Sequence, residues 1–522
     1  MSSLNKYYFI GIDLGTSSCK VALFSGDGTL IASSTKHYPL ILGKDGKVEQ
    51  DPLAWWNAVK DALREVVESA KNVNVDVNRI LAMGVTGQWS DTIPIDKDGN
   101  PLYNAIIWMD TRGKDDIRRL IGGFPSISGY RIDKLWTWIR ITGGAPTKSG
   151  KDSIAHILYI RNNMPDIYNK THKFLDAVHF IVMKLTGRVA ASWDTAVLLW
   201  VTDNRNPSNV VYYEPLLRLV GIPREKLPDL VSPTSVVGTI NSEVAEDVGL
   251  PRHVKVVAGC GDLPCSLIGA GAVDYYETHL YIGTSSWITT HVPFKKTDIF
   301  HNIASLPSAL PGKYYVPVEQ ENAGSCLDYV MNAFSIKDYR EVDELVLGSV
   351  PGANGLLFLP WLLGERAPVE NPYLRGGFFN LGIYNSKGDI LRAVMEGIAL
   401  NIRWAFQPFL RFVNHKIDYV IMGGGGAQSG VWPQIIADVL NVKVITVKNP
   451  RYVTAKGAAM LAAYGLGAVT LNDIKGARQI DRVYEPSKDL RRLYEDKYHI
   501  FVKYYRNNEK LMRELNKTIK GP

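Results

Sequence analysis

Residues 7–18 read Tyr-Tyr-Phe-Ile-Gly-Ile-Asp-Leu-Gly-Thr-Ser-Ser, an apolar run followed at once by a small polar turn. The apolar run is rich in β-branched and aromatic residues and predicts a buried strand. In the turn, Gly15, Thr16 and Ser17 present backbone N–H groups and hydroxyls with no bulky side chain nearby. A turn of this kind can hold phosphate oxygens, because several N–H groups point at one anion.

The same four residues, Gly-Thr-Ser-Ser, recur at 283–286, again after an apolar run at 280–282. Gly283, Thr284 and Ser285 therefore form a second predicted phosphate turn. Two such turns about half a chain apart indicate two related half-molecules that hold one nucleotide from either side.

Composition narrows the class of protein. A chain of 522 residues predicts about two to four domains, and 46% apolar with 21% charged residues is typical of a globular protein. The net charge of +7 comes from scattered residues without a basic run, so no nucleic-acid partner is expected. The four cysteines lack zinc-like spacing and predict buried free thiols. No stretch resembles a signal peptide or a membrane span, so we expect a soluble cytoplasmic protein without a membrane partner.

The order of predicted elements indicates an α/β fold. Strands are expected at 7–13, 19–24 and 30–37, with a hairpin turn at 26–28, followed by a helix that begins at Asp51-Pro52. Strands followed by helices and then more strands predict layered α/β domains. A break near residues 249–252 predicts domains over 1–252 and 253–475, and a helical pattern near 489–515 predicts an extension over 476–522 that packs on the body.

Two carboxylates follow predicted strands. Asp13 lies two residues before the first phosphate turn, where a carboxylate can hold Mg²⁺ beside bound phosphates; a turn-capping role is the alternative. Asp262 follows Gly259-Cys260-Gly261 and could accept the proton of an attacking hydroxyl; a structural role is equally compatible with the sequence.

A glycine-rich loop follows another predicted strand. Gly424, Gly425 and Ala427 lie in a run that would let a flat purine ring approach the backbone. The loop fits neither the Gly-x-Gly-x-x-Gly dinucleotide pattern nor a Walker A sequence. Any nucleotide chemistry therefore falls outside the P-loop class.

Two polar–aromatic segments are candidates for binding a sugar. In the segment 87–91, Trp89 offers a flat apolar face, and Gln88, Ser90 and Asp91 offer partners for hydroxyls; a core tryptophan is the alternative. Trp108 opens a similar cluster at 108–112, in which an Asp–Arg pair could be purely structural.

Taken in order, these motifs resemble the FGGY family of carbohydrate kinases, within the superfamily of actin-like ATPases with ribonuclease-H-like domains. The resemblance runs from about residue 8 to residue 465. It is carried by residues 11–17, 49–52, 55–56, 84–88, 107–112, 261–262, 282–285, 360–368, 392–399, 424–427, 432, 434, 437–438 and 457–459.

The resemblance implies an α/β fold of two ribonuclease-H-like domains, with mixed sheets flanked by helices and a cleft between them. It implies ATP and Mg²⁺ as cofactors, Asp262 as the catalytic base and Asp13 as the carboxylate associated with Mg²⁺. The phosphate loops match Thr16-Ser17 and Gly283-Thr284, and the adenosine loop matches 424–427.

The acceptor is less well defined, because two segments depart from the family pattern. The layout is nearest the xylulose kinases, in which Met-His stands at the place of Trp89-Ser90 and Asn at the place of Leu263. D-Xylulose, giving the 5-phosphate, is the first acceptor expected; ribulose, erythritol and glycerol are alternatives. Rival classes are an actin-like nucleotide-binding protein and a catalytically inactive sugar sensor. A homodimer is the assembly to test.

Overall fold

The computed structural model describes residues 6–517, and the first half of the chain forms a seven-stranded mixed sheet. The strands are β1 (Tyr8–Leu14), β2 (Ser18–Ser25), β3 (Leu30–His37), β4 (Ile80–Gly87), β5 (Val236–Thr239), β6 (Lys255–Val257) and β7 (Cys260–Gly261). Their order in the sheet is β5-β6-β4-β1-β2-β3, and β7 pairs with the carboxyl end of β4.

The second half forms another seven-stranded sheet. Its strands are β8 (Thr278–Ile282), β9 (Ser286–Val292), β10 (Leu306–Pro307), β11 (Tyr314–Gln320), β12 (Tyr419–Gly423), β13 (Lys443–Val447) and β14 (Ile480–Tyr484). Their order in the sheet is β10-β11-β9-β8-β12-β13-β14.

The two sheets repeat one topology. In each, an antiparallel hairpin (β1-β2 or β8-β9) is extended by a third antiparallel strand, and the first hairpin strand pairs in parallel with a later one (β4 or β12). Each sheet then continues through another parallel strand to an antiparallel edge strand. The duplication inferred from the two Gly-Thr-Ser-Ser turns is therefore a duplication of the fold.

Helices cover the sheets. The first half contains α1 (Pro52–Asn72), α2 (Lys114–Ile121), α3 (Ile132–Thr142), α4 (Ser153–Asn163), α5 (Pro165–Lys170), α6 (Ala177–Thr186), α7 (Trp193–Ala196), α8 (Glu214–Val220) and α9 (Ser242–Val248). The second half contains α10 (Asp262–Gly269), α11 (Gly324–Ala333), α12 (Tyr339–Leu347), α13 (Lys387–Val413), α14 (Trp432–Leu440), α15 (Val453–Gly465), α16 (Leu471–Gly476) and α17 (Arg491–Asn516).

Short strands lie outside the two main sheets and pair with one another. They are Ile41–Leu42, Val48–Gln50 and Ala105–Ile106; Ile93–Ile95 with Lys173–Leu175; Ser126–Ile127 with Tyr130–Arg131; Ala190–Ser192 with Asp229–Val231; Thr202–Asp203 with Val211–Tyr212; Thr297–Asp298 with Ile303–Ala304; and Leu357–Leu359 with Gly377–Phe379.

Helix α1 follows directly from its sequence. The Asp51 side chain accepts the N–H of Leu53 at 2.9 Å and caps the helix, and Pro52 occupies the first turn, where its missing N–H costs nothing. Apolar residues at helical spacing bury one face, which packs against β2 and β3. The predicted start of this helix is confirmed.

Two helices of small residues connect the halves. Helix α15 packs on β1 and β4 so closely that a Cβ on Gly11 would lie 1.8 Å from the carbonyl oxygen of Ala455. On its other side α15 packs on α10, where a Cβ on Gly457 would also lie 1.8 Å from a carbonyl oxygen, that of Cys265. Glycine is required at both contacts because any side chain would displace the neighbouring backbone. The two halves therefore share a tightly packed interface.

The sheets place two boundaries differently from the sequence prediction. Strands β6 and β7 lie beyond residue 252, yet both pair with β4 of the first sheet, so the change of sheet comes after Gly261. Strand β14 lies within the predicted extension but pairs with β13 of the second sheet. These pairings join residues far apart in sequence, which local composition cannot reveal. The helix predicted near 489–515 is present as α17, and its Phe501 contacts Trp361.

Candidate active site

The predicted site residues gather at one edge of each sheet. Because β1, β4 and β7 are parallel, their carboxyl ends bring the first phosphate turn, the segment 88–91 and Asp262 to the same edge. In the second sheet β8 and β12 are parallel, so the second phosphate turn and the glycine-rich loop also meet. Ligands of α/β proteins bind outside the carboxyl ends of strands. The two edges form the candidate active site.

The first phosphate turn is held by three long-range hydrogen bonds. Tyr38 donates its hydroxyl to the carbonyl of Gly15, and Gln50 donates to the carbonyl of Thr16 at 2.8 Å. Trp108 donates its indole N–H to the Thr16 hydroxyl at 3.1 Å. Ser17, at the tip, is exposed. The turn is therefore fixed from behind while its tip stays open to a ligand.

Asp13 is buried opposite Lys20 in the β1-β2 hairpin, and the two side chains form an ion pair at 3.2 Å. Lys20 lies beside the turn, with 15% of its side chain exposed. Burial works against its charged form, but the neighbouring Asp13 raises the pKa of Lys20, so it stays cationic. A fixed cation and a buried carboxylate thus flank the first turn.

The second phosphate turn is anchored to the start of α11. The N–H groups of Ala323 and Gly324 donate to the carbonyls of Thr284 and Gly283 at 3.0 Å and 2.8 Å. Thr284 is exposed at the tip. Burial raises the pKa of Tyr281 in the second hairpin, while the charge of Lys20 in the first hairpin works against this rise and that of Asp13 adds to it.

The glycine-rich loop leaves β12 and turns before α14. Gly424 has a positive φ of 84°, and a Cβ there would lie 2.4 Å from the Ile282 carbonyl oxygen, so this position requires glycine. Gly425 is exposed and has no atom within 4 Å of a would-be Cβ. Ala427 is buried beneath the loop. Open space beside Gly425 is compatible with a flat ring.

Asp262 is the first residue of α10, directly after β7. Its Oδ1 atom is buried and has no hydrogen-bond partner among residues 6–517. Burial raises the pKa of Asp262 well above its usual range, and the carboxylates of Asp13 and Glu319 add to the effect. An unpaired buried carboxylate with a raised pKa is suited to accept a proton from a ligand.

The segment 88–91 lines the same region. Gln88 donates its amide to Gln50 at 3.0 Å, while its own carbonyl oxygen has no partner in the described chain. Neither carboxylate oxygen of Asp91 receives a hydrogen bond there, and burial raises its pKa well above normal, with Asp176 and Asp262 contributing. Ser90 has a positive φ of 60°. Buried polar atoms normally have partners, so these unpaired atoms indicate a ligand or water site.

Trp89 packs on the backbone just before Asp262, and Leu263 belongs to the same apolar cluster. The indole N–H of Trp89 is buried without a partner in the described residues, and its ring lies edge-on to Tyr315 at 6.2 Å between centroids. Trp89 thus lies against the backbone just before Asp262, and its role in binding an acceptor stays a prediction.

Trp108 lies between cations from both halves. The Arg366 guanidinium is 5.1 Å from its ring and the Lys151 ammonium 5.8 Å. Both cations are already paired: Arg366 with Glu319 and Glu321 at 2.5 Å and 2.7 Å, and Lys151 with Glu321 at 2.8 Å. The neighbouring Asp110–Arg112 pair at 2.8 Å, with Glu49 beside it, is structural, as the alternative proposed.

Several residues at the site carried no signal in the sequence. Tyr315 contributes a buried hydroxyl without a partner among residues 6–517, and so does Ser325 at the start of α11. Asp194 contacts the backbone of Gly261. Each comes from a distant element, and none lies in a recognisable motif.

The residues present fit the implied cofactors. Mg²⁺ in phosphoryl-transfer sites is held by one or two carboxylates together with phosphates and water. Asp13 is a carboxylate beside the first turn, and residues 6–517 contain no group of three or more potential metal-binding side chains. Over the same residues no helix is both long enough and apolar enough to cross a bilayer.

Two duplicated domains of mixed sheets flanked by helices, each with a Gly-Thr-Ser-Ser turn after its first hairpin strand, define a two-domain protein with the ribonuclease-H-like fold of actin-like ATPases. Family models agree: the N-terminal domain of the FGGY family of carbohydrate kinases matches residues 8–269, and its C-terminal domain matches residues 279–466. The chain belongs to the FGGY family of carbohydrate kinases. It is therefore an enzyme that phosphorylates a carbohydrate, and the two rival classes are set aside.

Relatives differ in the acceptor that their names state. The chain is 30% identical over 516 residues to a xylulose kinase of Staphylococcus epidermidis, covering 98% of this chain and 99% of the relative. It is 27% identical over 476 residues to a gluconokinase of Bacillus subtilis, covering 88% of each. The crystal structure of a ligand-bound xylulose kinase from Lactobacillus acidophilus superposes with a TM-score of 0.84 at 26% identity, covering 96% of this chain and 98% of that one.

Proposed function

We propose that this kinase transfers the γ-phosphoryl group of ATP to the terminal hydroxyl of a small neutral ketose or polyol, with D-xylulose as the first candidate. The observation that carries the proposal is the unpaired, buried Oδ1 of Asp262 at the edge where the two halves meet. A carboxylate there needs a partner, and an acceptor hydroxyl can supply one.

In this proposal Asp262 is the general base. Its Oδ1 accepts a hydrogen bond from the acceptor hydroxyl and takes the proton as the hydroxyl oxygen bonds to the γ-phosphorus of ATP, while the bond from that phosphorus to the departing ADP breaks. The raised pKa of Asp262 brings its basicity closer to that of a useful proton acceptor at neutral pH. The neighbouring Asp13 and Glu319 disfavour its charged form and thereby favour uptake of the proton.

The two turns bind the phosphates. Backbone N–H groups and hydroxyls at 15–17 and 283–285 are positioned to stabilise charge on the transferring group, and Lys20 adds a fixed positive charge near the first turn. Asp13 would hold Mg²⁺, which neutralises phosphate charge in this class of reaction. The loop at 424–427 would hold the adenosine, with the ring beside Gly425.

Charge at the acceptor end favours a neutral ligand. Asp91 is buried with neither oxygen paired, and the buried Oδ1 of Asp262 also has no partner among residues 6–517, so both side chains can accept hydrogen bonds from hydroxyls. Arg366 and Lys151, the cations nearest to Trp108, are already engaged by Glu319 and Glu321. A sugar acid would place a carboxylate near buried acidic groups without a free cation to pair with, which is costly.

The test is an ADP-release assay of the purified enzyme with D-xylulose, D-ribulose, L-ribulose, erythritol, glycerol and gluconate under one set of conditions. The proposal expects the highest kcat/KM for a neutral ketose. Gluconate is the specific rival, since gluconokinases are among the relatives and two cations lie at Trp108. Gluconate as the best acceptor would contradict the charge argument and the placement of the acceptor.

A further inference from the structure

A buried chain of hydrogen bonds ends at the backbone immediately before Asp262. His179 on α6 forms a 2.7 Å contact with Asp176 through Nδ1, and its Nε2 accepts the N–H of Ser192 at 2.7 Å. Because Nε2 accepts a hydrogen bond, the proton of the neutral ring lies on Nδ1. Ser192 donates its hydroxyl to Oδ1 of Asp194 at 3.1 Å.

The other oxygen of Asp194 reaches the catalytic segment. Oδ2 accepts the N–H of Gly261 at 3.1 Å, and Gly261 is the residue that caps α10 and precedes Asp262. Asp194 itself is completely buried. Without it, the Gly261 N–H would be a buried donor lacking a partner, which proteins avoid.

Gly261 is also pressed from another direction. A Cβ built on Gly261 would lie 1.1 Å from Nε1 of Trp89, so the indole occupies the space where a side chain would be. The backbone before Asp262 is therefore confined by the Trp89 ring and held by the Asp194 carboxylate. Two independent contacts thus restrain the position of one peptide.

We infer that Asp194 is a positioning residue for the phosphoryl-transfer step: by holding the Gly261 N–H it sets the place of the Asp262 carboxylate. The inference rests on the proposed function in that it takes Asp262 to be the base. A carboxylate displaced by about 1 Å from its reacting partner can cost about 100-fold in rate. Asp194 need not touch the substrate to have this effect.

The surroundings of Asp194 add a dependence on pH. Burial raises the pKa of Asp194 to about 7, while the Gly261 N–H and the Ser192 hydroxyl favour its charged form; the His179 ring also faces it. The other titratable groups that face it are Asp176 on α6, Cys260 on β7 and Tyr315 on β11. Below about pH 7 the acceptor becomes a neutral carboxyl, and its hydrogen bond to Gly261 weakens.

The experiment compares Asp194→Ala and Asp194→Asn in the full chain, with D-xylulose and ATP. We expect Asp194→Ala to lower kcat by about 10- to 100-fold while the affinity for a non-hydrolysable ATP analogue changes by less than about threefold. Asn can present an amide oxygen to the same N–H, so Asp194→Asn should keep kcat within about fivefold of the wild type. Its kcat should also fall less than that of the wild type between about pH 8 and about pH 6, because the amide does not titrate.

Asp438→Ala is the matched control for Asp194→Ala. Asp438 is a buried carboxylate on α14 that accepts the Ser487 N–H at 2.7 Å, away from the carboxyl-end edges. Loss of a generic buried acceptor should leave its kcat within about twofold of the wild type while lowering stability, as Asp194→Ala also would.

Two results would overturn the inference: an Asp194→Ala enzyme with kcat within about twofold of wild type, or equal losses in the Ala and Asn variants. If the Ala variant does not fold, an Asn variant with an unaltered pH profile would overturn it instead. Asp262→Asn is assayed in parallel. An active Asp262→Asn enzyme refutes the proposed base itself, whereas an inactive one beside an active Asp194→Ala enzyme refutes only the role of Asp194.

Discussion

The two Gly-Thr-Ser-Ser turns have one sequence and two different surroundings. In the first hairpin Leu14 pairs with Cys19, and one step further from the turn Asp13 faces Lys20 as an ion pair. In the second hairpin Ile282 pairs directly with Ser286, so the turn is one residue tighter. The position that corresponds to Asp13, one step further from the turn, holds Tyr281, which stacks on Trp287 at 4.0 Å between ring centroids.

The difference shows how a duplicated fold divides its chemistry. Both halves offer a backbone turn at the carboxyl end of a central strand, but only the first turn has a carboxylate and a cation in its hairpin. The second has an aromatic pair that fills the same place with apolar surface. The repeat therefore predicts where phosphates bind, and Asp13 in the first hairpin predicts which turn holds the metal.

The largest expected effect is at Asp262, where the two halves meet. Asp262→Asn keeps the shape of the side chain but removes its basicity, so kcat should fall by about 100-fold or more. Affinity for a non-hydrolysable ATP analogue, measured by calorimetry, should be unchanged. A variant with more than about a tenth of wild-type turnover would contradict the assignment.

The comparison of the turns is tested by matched substitutions at Asp13 and Tyr281. Asp13→Asn should lower kcat/KM for MgATP by about 10- to 100-fold and raise the Mg²⁺ concentration needed for half-maximal turnover. Tyr281→Phe keeps the stack on Trp287 and should change both quantities by less than about threefold. Equal responses of the two variants in Mg²⁺ titrations would show that the metal does not distinguish the turns.

The adenosine loop can be tested without disturbing the fold. A valine at Gly425 meets no atom within 4 Å of its Cβ, so Gly425→Val should fold normally yet occupy the space of the ring. We expect affinity for the ATP analogue to fall by about tenfold, with little change in KM for the sugar. Gly476→Val, at another open glycine of the second half, is the control. Unchanged nucleotide affinity in folded Gly425→Val would remove the loop from the site.

The smallest effect on turnover is expected at Glu321, whose ion pair with Lys151 joins the two halves. Burial opposes ionisation of Glu321, but Arg366 and Lys151 outweigh it and lower its pKa to about 2. A lowered pKa means that Glu321 stabilises the fold above its unfolded pKa of about 4.5, and that this contribution is lost as pH falls towards about 2. Glu321→Gln should lower the urea midpoint at pH 7, and the gap from wild type should narrow below about pH 4.5. A gap that stays constant with pH would contradict this role.

Much of the fold follows from local sequence. The strands at β1, β2 and β3, the cap of α1 and the small-residue helix α15 all come from short-range patterns of apolar, turn and capping residues. The correct pairing of strands does not. β6 and β7 join the first sheet and β14 the second through contacts across long stretches of chain, which local composition does not reveal.

The site divides in the same way. Asp262, the two turns and the segment 88–91 were predicted because each follows a strand in a recognisable motif, and their functional roles remain predictions. The sequence did not assign Lys20, Tyr315, Asp194 or Arg366 to the site. Their positions depend on contacts with Asp13, Trp89, Gly261 and Trp108, each far away or across the cleft.

By itself the sequence determined the class of elements, the repeated turn and the family, because these depend on residues adjacent along the chain. Only the tertiary structure decided which charges are paired and which are left open. Burial and the distance between distant side chains control that outcome: Arg366 and Lys151 are neutralised by glutamates, whereas Asp91 keeps both oxygens without partners in the described chain and Asp262 keeps its Oδ1 so. A carboxylate that lacks hydrogen-bond partners is available to accept a proton from a ligand, and three-dimensional packing decides which partners it has.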